Sequence, residues 1–184
     1  MKNRTVVAVV GLSGVGKSTL LTSVRTSVSF VHLRASSLIK DELDFQQQKA
    51  FTHDTLREAP IDNNQVLLIA AFRRLAPNSG LVVLDGHVMI DTPNGLVEIG
   101  PETFRALEVC HFVVLTARPE VIFQRRANDA GRRRPSRSVS ELGGQQEKLL
   151  VTTQLLGEAI GAQVTELESS DFVGLTTLLV KHEN

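Results

Sequence analysis

The chain has 184 residues, with 20 acidic and 20 basic side chains and a formal net charge of zero. This balance argues against a chain-wide electrostatic partner such as nucleic acid or an anionic membrane surface. The apolar runs are shorter than the roughly 18 residues that a membrane-spanning helix needs, and the lone Cys110 cannot form an internal disulfide. We therefore expect a single cytoplasmic domain over residues 1–184, with Cys110 as a buried apolar side chain.

Predicted strands and helices alternate along the chain. Five short apolar runs are nearly continuous rather than alternating, which is typical of strands buried on both faces. The segments between them show helical spacing, a first-turn proline or, at Ser138 and Glu141, a capping box. The alternation predicts an α/β fold in which a five-stranded parallel sheet lies between two layers of helices. The strands are predicted at residues 5–10, 29–33, 81–84, 111–116 and 163–167, and the helices at 17–26, 62–75, 119–128, 138–160 and 175–181.

Residues 9–19, VVGLSGVGKST, carry a phosphate-binding motif in which Gly11 is followed, after four residues, by Gly16, Lys17 and Ser18. A strand before the motif and a helix after it identify a P-loop, and therefore a P-loop NTPase sandwich. Backbone amides at the helix N-terminus are expected to hold the β-phosphate, Lys17 to reach the β- and γ-phosphates, and Ser18 to bind Mg²⁺. The motif alone leaves open whether the nucleotide is hydrolysed, held or used as a phosphoryl donor. The predicted ATP-binding residues are Gly11, Ser13, Gly14, Val15, Gly16, Lys17, Ser18 and Thr19.

The strand predicted at residues 81–84 is followed by Asp85 and His87. A carboxylate in this place beside a P-loop organises the Mg²⁺ shell, so Asp85 is a second candidate magnesium residue, directly or through water. The alternative is an Asp-Gly pair that only forms a turn. His87 lies at the mouth of the sheet, where it either contacts a substrate or serves as a structural hydrogen-bond donor. Residues 88–99 then predict a β-hairpin that turns at Pro93-Asn94-Gly95.

Six arginines crowd into residues 125–137, RRANDAGRRRPSR. Phosphoryl transfer needs positive charge on the moving phosphate and exclusion of water, and an arginine-bearing lid supplies both. We therefore predict a short arginine-rich lid over about residues 129–137, and transfer rather than hydrolysis. The alternatives are a solvated basic loop and a nucleic-acid patch, and the neutral chain without Trp or Tyr argues against the second. The predicted catalytic residues are Lys17, Arg125, Arg132 and Arg134.

Three segments in this order, VVGLSGVGKST, VVLDGHVMIDTPNGL and RPEVIFQRRANDAGRRR, resemble the archaeal-type adenylate kinases, a branch of the P-loop nucleoside monophosphate kinases. The resemblance covers about residues 5–180. Its most specific part is the middle segment, because Asp-x-His before a Thr-Pro-x-Gly turn is not general to P-loop proteins. The family implies a Mg²⁺-dependent transfer of phosphate from ATP to AMP that yields two ADP, and often a homotrimer. The matching residues of the middle segment are Asp85, His87, Thr92, Pro93 and Gly95.

The resemblance also implies an acceptor site. Arg57, within DTLREAP, matches an arginine of the segment that receives the monophosphate. This segment is an acceptor-binding insertion over about residues 36–64. Ser36 or Ser37 is expected to line the same pocket, and the monophosphate is expected to bind toward Arg57 and His87.

On the donor side, the resemblance places residues 166–171, ELESSD, against the adenine of ATP. Three features depart from the family pattern: Asp91 stands where a basic residue is common, Arg137 stands where an uncharged or aromatic one is expected, and residues 44–55 are unusually polar. These departures concern the acceptor rather than ATP. They keep two alternatives open, a small-molecule kinase with a non-AMP acceptor and a regulatory P-loop ATPase without an acceptor. The residues that match the lid and the helix end before it are Arg125, Asp129, Arg132 and Arg134.

Overall fold

The computed structural model describes residues 3–49, 61–129 and 135–183. Within these ranges the chain forms seven strands and seven helices. The strands are β1 (Asn3–Val10), β2 (Val31–Arg34), β3 (Ser79–Asp85), β4 (Met89–Thr92), β5 (Gly95–Glu98), β6 (Val109–Thr116) and β7 (Gln163–Glu168). The helices are α1 (Lys17–Val24), α2 (Ala35–Lys49), α3 (Ile61–Leu75), α4 (Pro101–Ala106), α5 (Pro119–Asn128), α6 (Val139–Ile160) and α7 (Phe172–Glu183). Strands and helices alternate along the chain except at α2–α3, β3–β4–β5 and α5–α6.

Five strands form one parallel sheet in the order β2-β3-β1-β6-β7. The central strand β1 is apolar over residues 6–10, and none of these side chains is more than 1% exposed. Its neighbours β3 and β6 are also buried at consecutive positions. Since consecutive residues of a strand point to opposite faces, both faces of the sheet are covered by helices. The predicted α/β fold with a five-stranded parallel sheet is confirmed.

The register of the sheet brings three strand ends together. Val9 of β1 pairs with Asp85 of β3, which in turn pairs with Arg34 of β2. Because parallel strands direct their carboxyl ends to the same edge, the loops that follow these strands meet there. The P-loop therefore begins beside an acidic and a basic side chain from two other strands.

The predicted hairpin is confirmed as the antiparallel pair of β4 and β5, in which Thr92 lies opposite Gly95. The Thr92 hydroxyl closes the turn, since it donates to the Gly95 carbonyl oxygen at 2.8 Å and accepts from the Asn94 amide at 3.2 Å. The hairpin is a separate two-stranded sheet beside the main one. It carries Asp91 and Thr92 toward α5 and α6.

Helix α2 is the longest element that the sequence pattern does not predict. One of its core positions is taken by a charged residue, Glu42, which is only 5% exposed. The Glu42 carboxylate accepts from Arg74 of α3 at 2.9 Å, and the Arg74 guanidinium lies 4.1 Å from the centre of the Phe45 ring. A buried charge in the apolar stripe hides the helical periodicity. The paired Arg74, with a further hydrogen bond from Gln46 to the Glu42 carboxylate at 3.2 Å, makes that burial tolerable.

The expectation that Cys110 is buried is wrong, because its side chain is exposed. The register explains this. Val6 of β1 pairs with Val109 and Val7 with His111, so Cys110 is the extra residue of a β-bulge. A bulged residue has no partner across the ladder and turns out of the regular alternation.

The predicted capping box opens α6. The Ser138 hydroxyl accepts from the Glu141 amide at 3.2 Å, and the Glu141 carboxylate accepts from the Ser138 amide at 2.7 Å. Two backbone donors at the helix start are thus satisfied. None of the helices in the described ranges, including the 22 residues of α6, is long and apolar enough to cross a membrane.

Candidate active site

The P-loop, residues 11–16, connects the end of β1 to the start of α1. At Gly11 a Cβ atom would come within 2.8 Å of the Leu115 carbonyl oxygen, and Gly14 has φ +90°, so both positions require glycine. Lys17 is 8% exposed, and its ammonium group donates to the Gly11 carbonyl oxygen at 2.8 Å. The predicted strand, loop and helix are present, with the lysine held across the loop.

Two arginines of α5 donate hydrogen bonds to backbone carbonyl oxygens of the P-loop. The Arg125 guanidinium donates to the Val15 carbonyl oxygen, and Arg126 Nε donates to the Ser13 carbonyl oxygen at 2.8 Å. In a trans peptide the carbonyl and the following N–H point in opposite directions. A carbonyl fixed toward α5 therefore turns the next amide of the loop away from α5. This is the orientation that a nest of phosphate-binding amides needs.

Asp85 ends β3 at the edge of the P-loop and is buried, with 7% exposed. Its carboxylate lies 3.8 Å from His32 Nε2 and 3.7 Å from Arg34 Nε, which are longer than normal hydrogen bonds. Burial by itself raises the pKa of this carboxyl, but the facing His32 and the positive charges of Lys17 and His87 outweigh burial and hold the pKa below its ordinary value. Asp85 is therefore ionised at neutral pH.

His87 lies directly over the P-loop. Its Nδ1 atom is 3.1 Å from the Gly11 carbonyl oxygen. A carbonyl oxygen only accepts, so Nδ1 carries the proton in this contact. This arrangement fits the structural role considered for His87, and the ring also lines the cavities described next.

A polar cavity of about 420 Å³ lies over the P-loop at the carboxyl edge of the sheet. Of the predicted ATP-binding residues, Gly11 and Val15 do not line it, and their carbonyl oxygens accept from Lys17 and Arg125. Asp85, Arg125 and Asp129 come to the same cavity from β3, α5 and the residue after α5. The predicted ATP-binding residues that line it are Ser13, Gly14, Gly16, Lys17, Ser18 and Thr19.

A smaller apolar cavity of about 140 Å³ adjoins the polar one. Its walls come from β1, α2, α3, β3, the hairpin and α4, and its polar side chains include Asn64 and Gln65. Gln65 Oε1 is buried and accepts no hydrogen bond from any residue in the described ranges. The cavity thus combines apolar walls with an amide oxygen that can accept a hydrogen bond from a ligand. The residues that line both cavities are Ala35, Ser36, Gly86 and His87.

Arg34 is a candidate site residue that the sequence pattern does not single out. Its side chain is 45% exposed and lines the polar cavity next to Ser36. The available signal was its position at the end of a short apolar strand, where functional side chains of parallel sheets gather. The predicted Arg57, Arg132 and Arg134 lie outside the described residues.

The structure also locates one residue of the predicted acceptor segment and one of the segment predicted near the adenine. Ser37 lies outside both cavities and lines a separate surface depression with His32. Ser169, within residues 166–171, lies beside the P-loop, where its hydroxyl would be 3.4 Å from a Cβ atom at Gly16. The structure thus brings the segment expected near the adenine of ATP to the donor side.

Comparison with known proteins identifies the family. A family model described as AAA domain matches residues 10–143, which is more than half of the chain. The chain belongs to this family. The adenylate kinase of Thermoplasma acidophilum is 29% identical over 143 residues, which cover 76% of this chain and 75% of that protein. The adenylate kinase of Methanothermobacter thermautotrophicus is 25% identical over 162 residues, which cover 86% of this chain and 87% of that protein.

Solved structures agree on the fold. A shikimate kinase from Bacteroides thetaiotaomicron superposes with a TM-score of 0.58 at 18% identity, over 96% of this chain and 98% of that one. A gluconokinase from Sinorhizobium meliloti 1021 superposes with a TM-score of 0.52 at 18% identity, over 96% and 94%. The predicted resemblance to archaeal-type adenylate kinases is confirmed by the curated relatives. The chain is a phosphotransferase of the P-loop kinase type.

Proposed function

We propose that this chain transfers the γ-phosphoryl group of ATP to a nucleoside monophosphate, most simply AMP, with two ADP as the products. The observation that carries the proposal is the pair of adjoining cavities, one polar and one apolar. The polar cavity suits a triphosphate, and the apolar cavity suits a nucleobase. With ATP in the one and the acceptor in the other, their shared wall would bring the two phosphates together, as direct transfer requires. The archaeal relatives named adenylate kinase support AMP as the acceptor.

On the donor side, the amides of residues 14–18 would hold the phosphates at the N-terminus of α1. Lys17 and Arg125 would stabilise the charge that moves to the leaving and transferred phosphates. Arg125 is exposed on the last turn of α5 and lines the polar cavity, which supports this role. Arg132 and Arg134 stay predicted catalytic residues outside the described ranges, within a predicted lid.

Magnesium fits the polar cavity. Within the described ranges, no group of three or more His, Cys, Asp and Glu side chains could hold a metal by itself. Mg²⁺ does not need such a cage, because it binds one or two protein oxygens and completes its shell with phosphates and water. Ser18 and the ionised Asp85 both line the cavity and would supply those oxygens. When bound, the ion would neutralise phosphate charge.

On the acceptor side, Arg34 would bind the monophosphate and Gln65 the base. Arg34 is half-exposed and reaches the polar cavity beside the shared wall. Gln65 Oε1 would accept a hydrogen bond from an N–H group of the base. Ser36 and His87, which line both cavities, would lie between base and phosphate. No general base is needed, since a phosphate oxygen is already a competent nucleophile.

Two of the three departures from the family pattern, Asp91 and Arg137, do not count against AMP in the described structure, and the third, residues 44–55, lies partly outside the described ranges. Asp91 and Arg137 pair with each other at 2.9 Å, and neither lines the polar or the apolar cavity. The two remaining alternatives are a kinase with a non-nucleotide acceptor and a P-loop ATPase with no acceptor. The homotrimer that the resemblance implies stays a prediction.

An acceptor screen tests the proposal. The purified protein is incubated with ATP and Mg²⁺ and with AMP, CMP, GMP, UMP, shikimate or gluconate, and ADP and phosphorylated acceptor are quantified together. Shikimate and gluconate are included because the two structural neighbours are named for kinases of these compounds. A Lys17→Met variant serves as the control for contaminating kinases.

AMP is expected to give two ADP per turnover, and the Lys17→Met preparation is expected to give almost none. Phosphorylation of a compound without a base would establish the non-nucleotide alternative. ADP release that no acceptor stimulates would establish the regulatory ATPase. Either of these results would overturn the proposed acceptor.

A further inference from the structure

Asp91 of the hairpin joins two arginines that come from different elements. Its Oδ1 atom accepts from Arg137 at 2.9 Å and 3.2 Å, and its Oδ2 atom accepts from Arg126 at 3.4 Å. The side chains of Arg126, Asp91 and Arg137 are 10%, 15% and 18% exposed. Solvent therefore screens this cluster much less than it screens a surface ion pair.

The first arm of the cluster reaches the P-loop. While Arg126 Nη1 faces Asp91, Arg126 Nε donates to the Ser13 carbonyl oxygen at 2.8 Å. The stem of Arg126 packs on the loop, where its Cγ atom would lie 3.1 Å from a Cβ atom at Gly14. One guanidinium group thus links the hairpin carboxylate to the peptide plane between Ser13 and Gly14.

The second arm reaches the start of α6. Arg137 Nη2 also donates to the Thr92 carbonyl oxygen at 3.1 Å, and Arg137 Nη1 lies 3.8 Å from Glu141. Arg137 immediately precedes Ser138, the N-cap of α6. The carboxylate of Asp91 therefore ties the P-loop, the hairpin and the first turn of α6 together.

We propose that Asp91 is a positioning residue for the donor phosphates, which acts through Arg126 on the peptide between Ser13 and Gly14. The Ser13 carbonyl oxygen is held toward Arg126, so the Gly14 amide points the opposite way, toward the place of the phosphates. Asp91 orients Arg126 by accepting its hydrogen bond. Its single negative charge also offsets one of the two positive charges that Arg126 and Arg137 bring to this carboxylate. The proposal rests on the binding of ATP phosphates by the P-loop and is independent of which acceptor receives the phosphoryl group.

The test is the affinity for ATP and Mg²⁺, measured by calorimetric titration without acceptor on folded protein, well below the unfolding midpoint. Asp91→Asn keeps the shape of the side chain and removes its charge. We expect the Kd for ATP to rise about tenfold, because the Gly14 amide would lose its charge-assisted hydrogen bond to the phosphates. Arg126→Lys lacks the two separate nitrogens, Nε and Nη1, with which Arg126 contacts Ser13 and Asp91, and it is expected to give a similar rise.

The hairpin offers a matched control. Glu98 on β5 pairs with Lys148 of α6 at 3.1 Å, and both side chains are about half-exposed. Glu98→Gln removes an ion pair between the hairpin and α6 without touching Arg126, and we expect the Kd for ATP to stay within twofold of wild type. The double variant Asp91→Asn, Arg126→Lys is expected to bind no worse than the weaker single variant, because both changes break one linkage.

Three results would overturn the proposal. The first is an Asp91→Asn variant with a lower unfolding midpoint but an unchanged Kd for ATP in the folded protein. The second is a Glu98→Gln variant whose Kd rises as much as that of Asp91→Asn. The third is a double variant in which the effects of Asp91→Asn and Arg126→Lys on the Kd add. Each would reduce Asp91 to general support of the hairpin. A wild-type protein that binds ATP but does not phosphorylate AMP would instead refute the proposed acceptor, so the two failures are distinguishable.

Discussion

The polar cavity over the P-loop and the apolar cavity beside it are built in different ways. Six of the residues that line the polar cavity, Lys17 among them, lie within residues 13–19, and its other charged residues lie at or just after the ends of β2, β3 and α5. The apolar cavity takes its walls from β1, α2, α3, β3, the hairpin and α4, which span about 100 residues of the chain. The proposed donor site is thus a local motif, whereas the proposed acceptor site is an assembly of separate elements. Under the proposed function, transfer would take place at the wall that the two cavities share.

The largest effect is expected from Lys17→Met. The ammonium group of Lys17 is buried against the Gly11 carbonyl oxygen and faces the place of the phosphates. Its removal is expected to lower kcat by about 10²–10³-fold, as for the loss of one transition-state donor. The exposed Lys40→Met on α2 is the control and should retain wild-type kcat. A Lys17→Met enzyme with near-normal kcat would contradict the donor role of the polar cavity.

A smaller and more selective effect is expected from Arg34→Gln. If Arg34 binds the acceptor phosphate, the KM for AMP should rise about 10- to 100-fold, the value of a charge-assisted hydrogen bond, with the KM for ATP within twofold. Steady-state kinetics with each substrate varied in turn measures the two constants. Arg73→Gln, on the exposed face of α3, is the matched control. Equal rises in both KM values would show that Arg34 does not separate the two sites.

Gln65→Leu tests whether the apolar cavity binds the base of AMP. It removes the buried amide oxygen and leaves the polar cavity intact. The KM for AMP is expected to rise about tenfold, for one lost neutral hydrogen bond, without a change in the KM for ATP. The neighbouring Asn63 lines neither cavity, so Asn63→Leu is expected to leave both constants unchanged. A wild-type KM for AMP in Gln65→Leu would place the base elsewhere.

The smallest effect is expected at the opposite edge of the sheet, where His111 contacts neither cavity. Its ring lies 2.9 Å from both His182 Nε2 and Thr165 Oγ1. Burial, and next the charge of His182, lower the pKa of His111 from its ordinary value of 6.5. His111 therefore binds a proton more readily in the unfolded chain than in the folded one. Its contribution to the free energy of unfolding is fully present above pH 6.5 and is lost as the pH falls toward the pKa of the folded state.

Denaturant unfolding between about pH 7.5 and pH 5.5 measures this fall, which spans the ordinary titration range of histidine. His111→Gln is expected to reduce the pH dependence of the free energy of unfolding and to leave the KM for ATP and for AMP unchanged. A variant with the wild-type slope would show that His111 is not the responsible group. A changed KM would show that the two edges of the sheet are coupled.

Much of the donor side could be predicted because its signals are local. The P-loop is predicted by a strand, a glycine loop and a helix that follow one another directly in the chain. Asp85 directly follows an apolar run, and this pattern predicts its position at the carboxyl edge of the sheet. Helix α2 was missed because Glu42 interrupts its apolar stripe, and the partner that makes this tolerable, Arg74, is on another helix. Cys110 was misjudged because a bulge depends on the register between two strands.

The sequence by itself determined the α/β alternation, the P-loop and its candidate Mg²⁺ residues, because each follows from residues a few positions apart. Only the tertiary structure decided that Arg34 and Gln65 reach the two cavities, and that Asp91 and Arg137, two departures from the family pattern, pair with each other. The physical reason is that such contacts join residues on different elements. Burial, distance and charge between them exist only once the sheet has set which strand ends and helices are neighbours.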